Sequence, residues 1–303
     1  MHERRKARML RPDWQISGET ELRLRGRRVG ATGLYCGRGG CTADADMAAA
    51  CTVTLVCGAA LLIAPLRAAA AAAAHLPPDY PVCKRDSPDV NDCLKKAVAV
   101  VVKLVAAGIP SLGVVPVDPL DVPLIEISDG TKNINLKITF RNVRVTGLSE
   151  ASVTSASLDL ANNELELSGV EPHLVFEADY EMSGKFLVVP VEGSGRCRFI
   201  FTNLTAELKL ISERQMKGNQ EYWDLKQLLL NIPRLERFEV NFENLFNGDQ
   251  TLGPGFNRLL NENWLEFWGA LRPTFEESFG LIFKSLAANV FGKVPLDEVF
   301  LPK

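Results

Sequence analysis

Between Ile134 and Phe242 the apolar residues of this chain alternate with polar ones, and from Phe256 to Val290 they recur every three or four positions instead. The first period places side chains on opposite faces of strands, the second along one stripe of a helix. Ile134, Leu136, Ile138 and Phe140 alternate with Asn135, Lys137 and Thr139; the pattern returns in Leu158/Leu160, Leu165/Leu167, Leu174 to Met182 and Phe238/Val240/Phe242. Cys197, Phe199 and Phe201 share one parity and Leu204, Ala206, Leu208 and Leu210 the other, so a bulge is expected near Asn203. The segments "ANNE", "SGVEP", "MSGK" and "EGSG" read as turns joining antiparallel neighbours. Breakers crowd "FNGDQTLGPGF", where the chain must leave the sheet, and residues 255–290 then form one helix with a kink at Pro273. At 1.5 Å per residue that helix is about 54 Å long, against a radius of gyration of about 17 Å for a compact chain of this size. So long an apolar helix needs an equally long apolar partner. The expected fold is α+β: an elongated, strongly curved antiparallel sheet wrapped around a long C-terminal helix.

A second helix is expected in "SPDVNDCLKKAVAVVVKLVAAGIP", with Ser87 as cap, Pro88 at the first helical position and Asp89 and Asp92 favouring the N-terminal dipole. Val90, Leu94, Ala97, Val98, Val101, Leu104 and Val105 form its stripe, its other face is nearly as apolar, and Gly108 and Pro110 end it.

The N-terminal part has a different character. Residues 1–74 hold 11 Lys/Arg against 6 Asp/Glu, which leaves 23 against 31 in residues 75–303. The apolar run Cys51 to Leu66 and the alanines before His75 resemble the apolar region and cleavage site of a secretory signal. Met47 is accordingly the expected start, 1–46 an Arg/Gly-rich extension absent from the mature protein, 47–74 the signal peptide and 75–303 a single domain. The alternative, a membrane anchor, has barely enough apolar length and carries Pro65 and Arg67 near its end. Removal of the signal leaves Cys83, Cys93 and Cys197. A Cys83–Cys93 bridge would pin the Pro-rich arm "HLPPDYPVC" to the first helix, stabilising it by about 2.5–3 kcal/mol, and Cys197 is expected to be a buried apolar residue. The acidic surface argues against nucleic acid and against charged membrane surfaces as partners.

With "PVCKRDSPDVNDCL", the Pro119–Pro123 run "PLDVP", "VEGSGRCRFIFTNLTAEL" and above all "FENLFNGDQTLGPGFNRLLNENWLEFWGALRPTFEESFG" closing on "FGKVPLDEVFLP", residues 76–303 resemble the insect takeout and juvenile-hormone-binding proteins. The resemblance implies a tubular lipid-binding fold enclosing an apolar tunnel for one lipid-like molecule: a juvenile hormone-like terpenoid, a fatty acid or another lipid. It implies an extracellular protein of the haemolymph, in a family tied to circadian and feeding behaviour. The hormone carriers have a second disulfide in the body of the domain, whereas Cys197 stands alone here, which points to the takeout-like branch.

The expected ligand-binding residues are Phe140, Phe176, Tyr180, Phe199, Phe201, Trp264, Trp268 and Phe275, with the Tyr180 hydroxyl placed to meet a polar head. Asn203, in "NLT", is the expected glycan acceptor. No cofactor, metal cluster or enzyme motif is expected: the sequence has no G-x-S-x-G elbow, phosphate loop or dinucleotide fingerprint, and a Cys197/His173 pair would lack an orienting third group. His173 is expected in a solvated turn. Two function classes follow: a secreted carrier of one small hydrophobic ligand, without stable membrane insertion and with no receptor identified, and an extracellular signalling or interaction protein whose lipid is a structural filler.

Overall fold

The computed structural model describes residues 74–130 and 134–302. The extension expected at 1–46 and all but the last residue of the signal segment lie outside the described residues. Strands run over Cys83–Lys84 (β1), Leu120–Gly130 (β2), Ile134–Thr146 (β3), Ser152–Asp159 (β4), Glu164–Phe186 (β5), Val189–Lys217 (β6), Gln220–Arg234 (β7), Arg237–Phe242 (β8) and Phe300–Leu301 (β9). Helices occupy Val90–Ala106 (α1), Leu252–Glu262 (α2), Trp264–Phe291 (α3) and Leu296–Val299 (α4). One antiparallel sheet has the order β2-β3-β5-β6-β7, with β4 also on β5 and β8 also on β6. It does not close on itself.

Two strands set the scale. β5 has 23 residues and β6 has 29, so at about 3.3 Å per residue their contours reach roughly 75 and 95 Å. β3 and β4 share one edge of β5 end to end, while β7 and β8 share the far edge of β6. Strands of this length coil rather than lie flat, and the described unit is an elongated curved sheet with α3 along it. "SGVEP", "MSGK" and "EGSG" are therefore not turns: the first two lie inside β5 and the third inside β6. Their glycines serve close approach. Gly184 has φ +136°, and a Cβ there would stand 2.1 Å from the Asn135 carbonyl oxygen on β3; at Gly195 it would stand 2.8 Å from the Glu243 carbonyl, where the chain leaving β8 crosses β6. "ANNE" does turn the chain between β4 and β5.

The parity changes have a backbone cause. On β3 burial passes from Ile138 and Phe140 to Val143 and Val145 across Asn142, which has φ +51° and coincides with a register shift against β5. On β6 it passes from Phe199 and Phe201 to Leu204 and Leu210 across Asn203, with φ +49°. Asparagine tolerates this left-handed region better than a branched residue does, so both strands can turn their apolar faces to one side along a curving path.

The C-terminal helical run is divided in two at Asn263. Pro273 lies within α3, and the helical backbone is interrupted at Asn263 (φ −114°, ψ 39°), whose Nδ2 adds a bond to the Leu259 carbonyl that its own amide also reaches. At the other end α1 starts at Val90, and Ser87 sits in the turn before it, its hydroxyl accepting from the Asp89 amide. The Cys83–Cys93 disulfide joins β1 to α1 across a Cα separation of 5.9 Å, and β1 pairs in parallel with β9, so the two ends of the described chain are tied together.

Where the sheet stays open, helix side chains complete its edge. Asn261 Oδ1 accepts from the Val240 amide at 2.9 Å and its Nδ2 donates to the Val240 carbonyl at 2.8 Å; Asn257 does the same with Phe242 at 2.9 and 2.8 Å. Glu276 of α3 accepts from the Ile232 amide of β7 at 2.7 Å. The match is geometric. Alternate strand residues expose both backbone groups on one edge about 6.8 Å apart, and positions i and i+4 of a helix are about 6 Å apart along its axis. Asn261→Ala should strand both groups of Val240 and cost about 1–3 kcal/mol in thermal or denaturant unfolding, whereas Arg258→Ala on the exposed face of α2 should change stability by less than about 0.5 kcal/mol.

Candidate functional site

The buried apolar residues fall into two clusters. One holds Phe140, Phe176, Phe199, Phe201, Phe238, Phe242, Phe267, Trp268 and Phe275 with their aliphatic neighbours; the other joins Leu94, Leu165, Leu210, Trp223, Leu228 and Val290 near α1 and the end of α3. Leu230 and Phe283 touch both. Between the clusters the structure leaves a cavity of about 390 Å³. Its wall comes from α1, from β5, β6 and β7, and from α3 between Trp268 and Phe291.

The apolar wall explains several sequence features at once. Val98, Val101, Val102 and Val105 line the cavity from α1 and are only half-buried by protein, while Leu94 and Ala97 are fully buried. A helix apolar nearly all round is what a cavity wall requires, because one face packs and the next meets the space. Leu165 and Leu167 on β5 and Leu204, Ala206, Leu208 and Leu210 on β6 reach the wall on the parity that follows the Asn203 switch.

Of the residues expected to bind ligand, Phe176, Phe201, Trp268 and Phe275 line the cavity. Phe140 and Phe199 stand behind them, fully buried: Phe199 stacks on Phe176 with centroids 5.2 Å apart, and Phe140 meets both rings edge-on at 5.3 and 5.6 Å. They build an aromatic plug at one end of the space. Trp264 is half-buried against the same cluster, away from the cavity wall. Tyr180 packs edge-on against Phe242 and donates its hydroxyl to the Glu243 carbonyl at 2.6 Å, so its polar group is engaged by backbone and does not reach the wall. Asn203 is exposed and its Nδ2 donates to Glu236 at 2.6 Å.

Cys197 is free and buried, and burial pushes its thiol well above the ordinary range. His173 lies in β5 with an exposed side chain, not in a turn. Cys197 pairs with Ala178 across the sheet, five residues along β5 from His173, a separation of roughly 16 Å. No Cys/His site forms. Among the described residues no group of three His, Cys, Asp or Glu could hold a metal ion, and no helix is long and apolar enough to cross a membrane.

The polar residues in the cavity wall are Tyr80, Ser168 and Glu171. Glu171 is only 5% exposed, and neither carboxyl oxygen has a hydrogen-bond partner at good geometry. Burial lifts its pKa from 4.5 to about 7; the nearby His173 amide draws it down a little, and the charges of Glu150 and Asp118 push it up. Glu171 belongs to "SGVEP", which lies inside β5 and is not a turn. The parity of Leu165 and Leu167, continued through Gly169, was the signal that places it inside.

A family model described as haemolymph juvenile hormone binding protein (JHBP) matches residues 55–301. The circadian clock-controlled protein daywake of Drosophila yakuba is 20% identical over 201 residues, spanning 64% of this chain and 77% of that protein. A putative beta-carotene-binding protein of Schistocerca gregaria is 22% identical over 220 residues, spanning 71% and 85%. Among solved structures, Takeout 1 of Epiphyas postvittana superposes with a TM-score of 0.65 at 22% identity, covering 73% of this chain and 99% of that one.

A raised carboxyl pKa gives stability a definite pH dependence. The folded state holds the Glu171 proton more tightly than the unfolded chain does, so this contribution is fully present below about pH 4.5 and lost as pH rises through about 7. Glu171→Leu, which removes the buried carboxyl, should therefore stabilise the protein at pH 8 by about 1–3 kcal/mol and by less at pH 5, read from melting curves of both proteins at the two pH values.

Proposed function

This chain belongs to the haemolymph juvenile hormone binding protein family, and on that basis we propose that it is a secreted carrier that holds one small hydrophobic molecule in its internal cavity. The observation that carries this reading is the apolar space itself. Its 390 Å³ falls within the range of about 300–1,000 Å³ typical of small-ligand sites. Apolar surface left facing such a space loses the packing contacts that a solid core would give it. A molecule that fills the gap between the two clusters restores those contacts. The ligand is an isoprenoid, fatty-acid-like or other lipid molecule, and a relative whose name records a putative carotenoid ligand is in keeping with that class. Phe176, Phe201, Trp268 and Phe275 supply the aromatic end of the site, and the α1 valines supply a side wall.

Secretion draws support from two features. The Cys83–Cys93 disulfide suits an oxidising compartment. The chain is also held from its expected mature start, since the Leu76 amide donates to Glu298 at 2.7 Å and the His75 ring lies 3.0 Å from the same carboxylate. Mass spectrometry of the protein recovered from culture medium should find a chain beginning near His75, with a mass that falls on glycosidase treatment because Asn203 carries a glycan. Residues 1–46 on the secreted protein would refute the processing, and an unchanged mass would refute the glycan.

The site itself is tested by filling it. Ala206→Trp places a large ring on the cavity wall and should lower displacement of a fluorescent lipid at least about tenfold, at a stability cost below roughly 1–3 kcal/mol, because the added volume enters ligand space. Phe199→Trp, in the plug, should cost stability through overpacking with a smaller effect on binding. If Ala206→Trp binds lipid like the wild type, the cavity is not the ligand site, and native mass spectrometry showing no bound lipid on protein from its own tissue would favour a signalling role.

A further inference from the structure

Among the described residues Glu171 is the charged residue in the wall of this cavity, and no Lys, Arg or His of theirs lines the space. A carboxylate can only accept hydrogen bonds, and a buried acceptor left without a donor is costly. Here neither oxygen has a partner at good geometry, and the nearby His173 amide only partly compensates the burial. The surroundings carry the same sign: Asp118 and Glu150 lie close enough to act on Glu171. Asp118 stays ionised despite its burial because it accepts from the Ser149 hydroxyl and from the Ser149 and Gly147 amides. The cavity is the side from which a well-placed donor can reach this carboxyl. Resting on the carrier reading above, we propose that Glu171 seats the head of the ligand, and that this ligand is an apolar chain ending in a hydrogen-bond donor, an amine in preference to an alcohol.

The charge distribution orders the candidates. An ammonium head gives a charge-assisted bond to Glu171 and relieves its repulsion with Asp118 and Glu150. Burying an ion pair usually costs both desolvations, but Glu171 is already desolvated in the protein alone, so the ligand adds only its own. An alcohol donates without relieving the field. This narrows the lipid classes of the carrier reading, because a fatty-acid carboxylate brings another negative charge to a wall with no cation among the described residues and binds worst. The same cavity offers the tail an apolar wall that includes Leu174, Leu204 and Leu208 of the sheet and Val101 and Val105 of α1.

The test uses the full chain and four ligands with one tail: decylamine, decanol, decanoate and methyl decanoate, titrated calorimetrically at pH 8. Decylamine should bind most tightly and decanoate least. E171Q should weaken decylamine about 10- to 100-fold, as expected for loss of a hydrogen bond to a charged group, and leave methyl decanoate unchanged; its melting temperature, expected to be no lower than the wild type's, verifies that it is folded. The ligand ranking on the wild-type protein stands by itself should the variant not fold. Decanoate or methyl decanoate binding as tightly as decylamine, or a decylamine affinity indifferent to E171Q, overturns the head-group assignment and leaves the carrier reading in place. Failure of all four ligands to bind overturns both.

Discussion

An open antiparallel sheet curled along a helix has a row of backbone groups at its edge that nothing in the sheet can satisfy. Here α2 and α3 satisfy them. Asn257 and Asn261 present an amide donor and acceptor each, at a helical spacing that matches alternate residues of β8, and Glu276 continues the line onto β7. These bonds stand in for a further strand. They hold the helix at a fixed height against the sheet and protect an edge that would otherwise pair with another chain, and they let the sheet remain open where a closed barrel would leave no room for a helix.

The height of the helix in turn decides where the core is solid and where it is not. At one end the rings of Phe140, Phe176, Phe199, Phe238 and Phe275 contact one another at centroid distances between 5.2 and 6.5 Å and fill the space between sheet and helix. Toward α1 the wall is made largely of Val, Leu and Ala, with Tyr80, Phe283 and Phe291 among them, and these side chains leave the gap between sheet and helix unfilled. The cavity lies where the continuous contact between aromatic rings gives way to this mainly aliphatic wall. The position of Glu171 in that wall has a backbone origin, since the left-handed backbone at Asn203 and the matching parity change on β5 turn a different set of residues inward from there on.

The sequence by itself determined the class of structure. Alternation over the strands, the helical stripe after Phe256, the Cys83–Cys93 staple and the parity switch at Asn203 all reappear in the structure because each rests on local periodicity or short-range geometry. It misplaced strand ends, because a glycine-rich segment reads the same whether it turns the chain or lets another strand pass close by; only the neighbouring backbone at Asn135 and Glu243 distinguishes the two. The division of the aromatics was equally hidden. Phe176 and Phe199 carry the same alternation signal, yet one reaches the cavity and the other stacks behind it. Periodicity says which face of a strand is apolar, and says nothing of whether that face meets a ring, a helix or an empty space. That choice, and with it the exposure of Glu171 to the cavity and the engagement of Tyr180 by Glu243, was decided by the long-range packing of helix on sheet, where the sizes of residues distant in sequence add up across the gap.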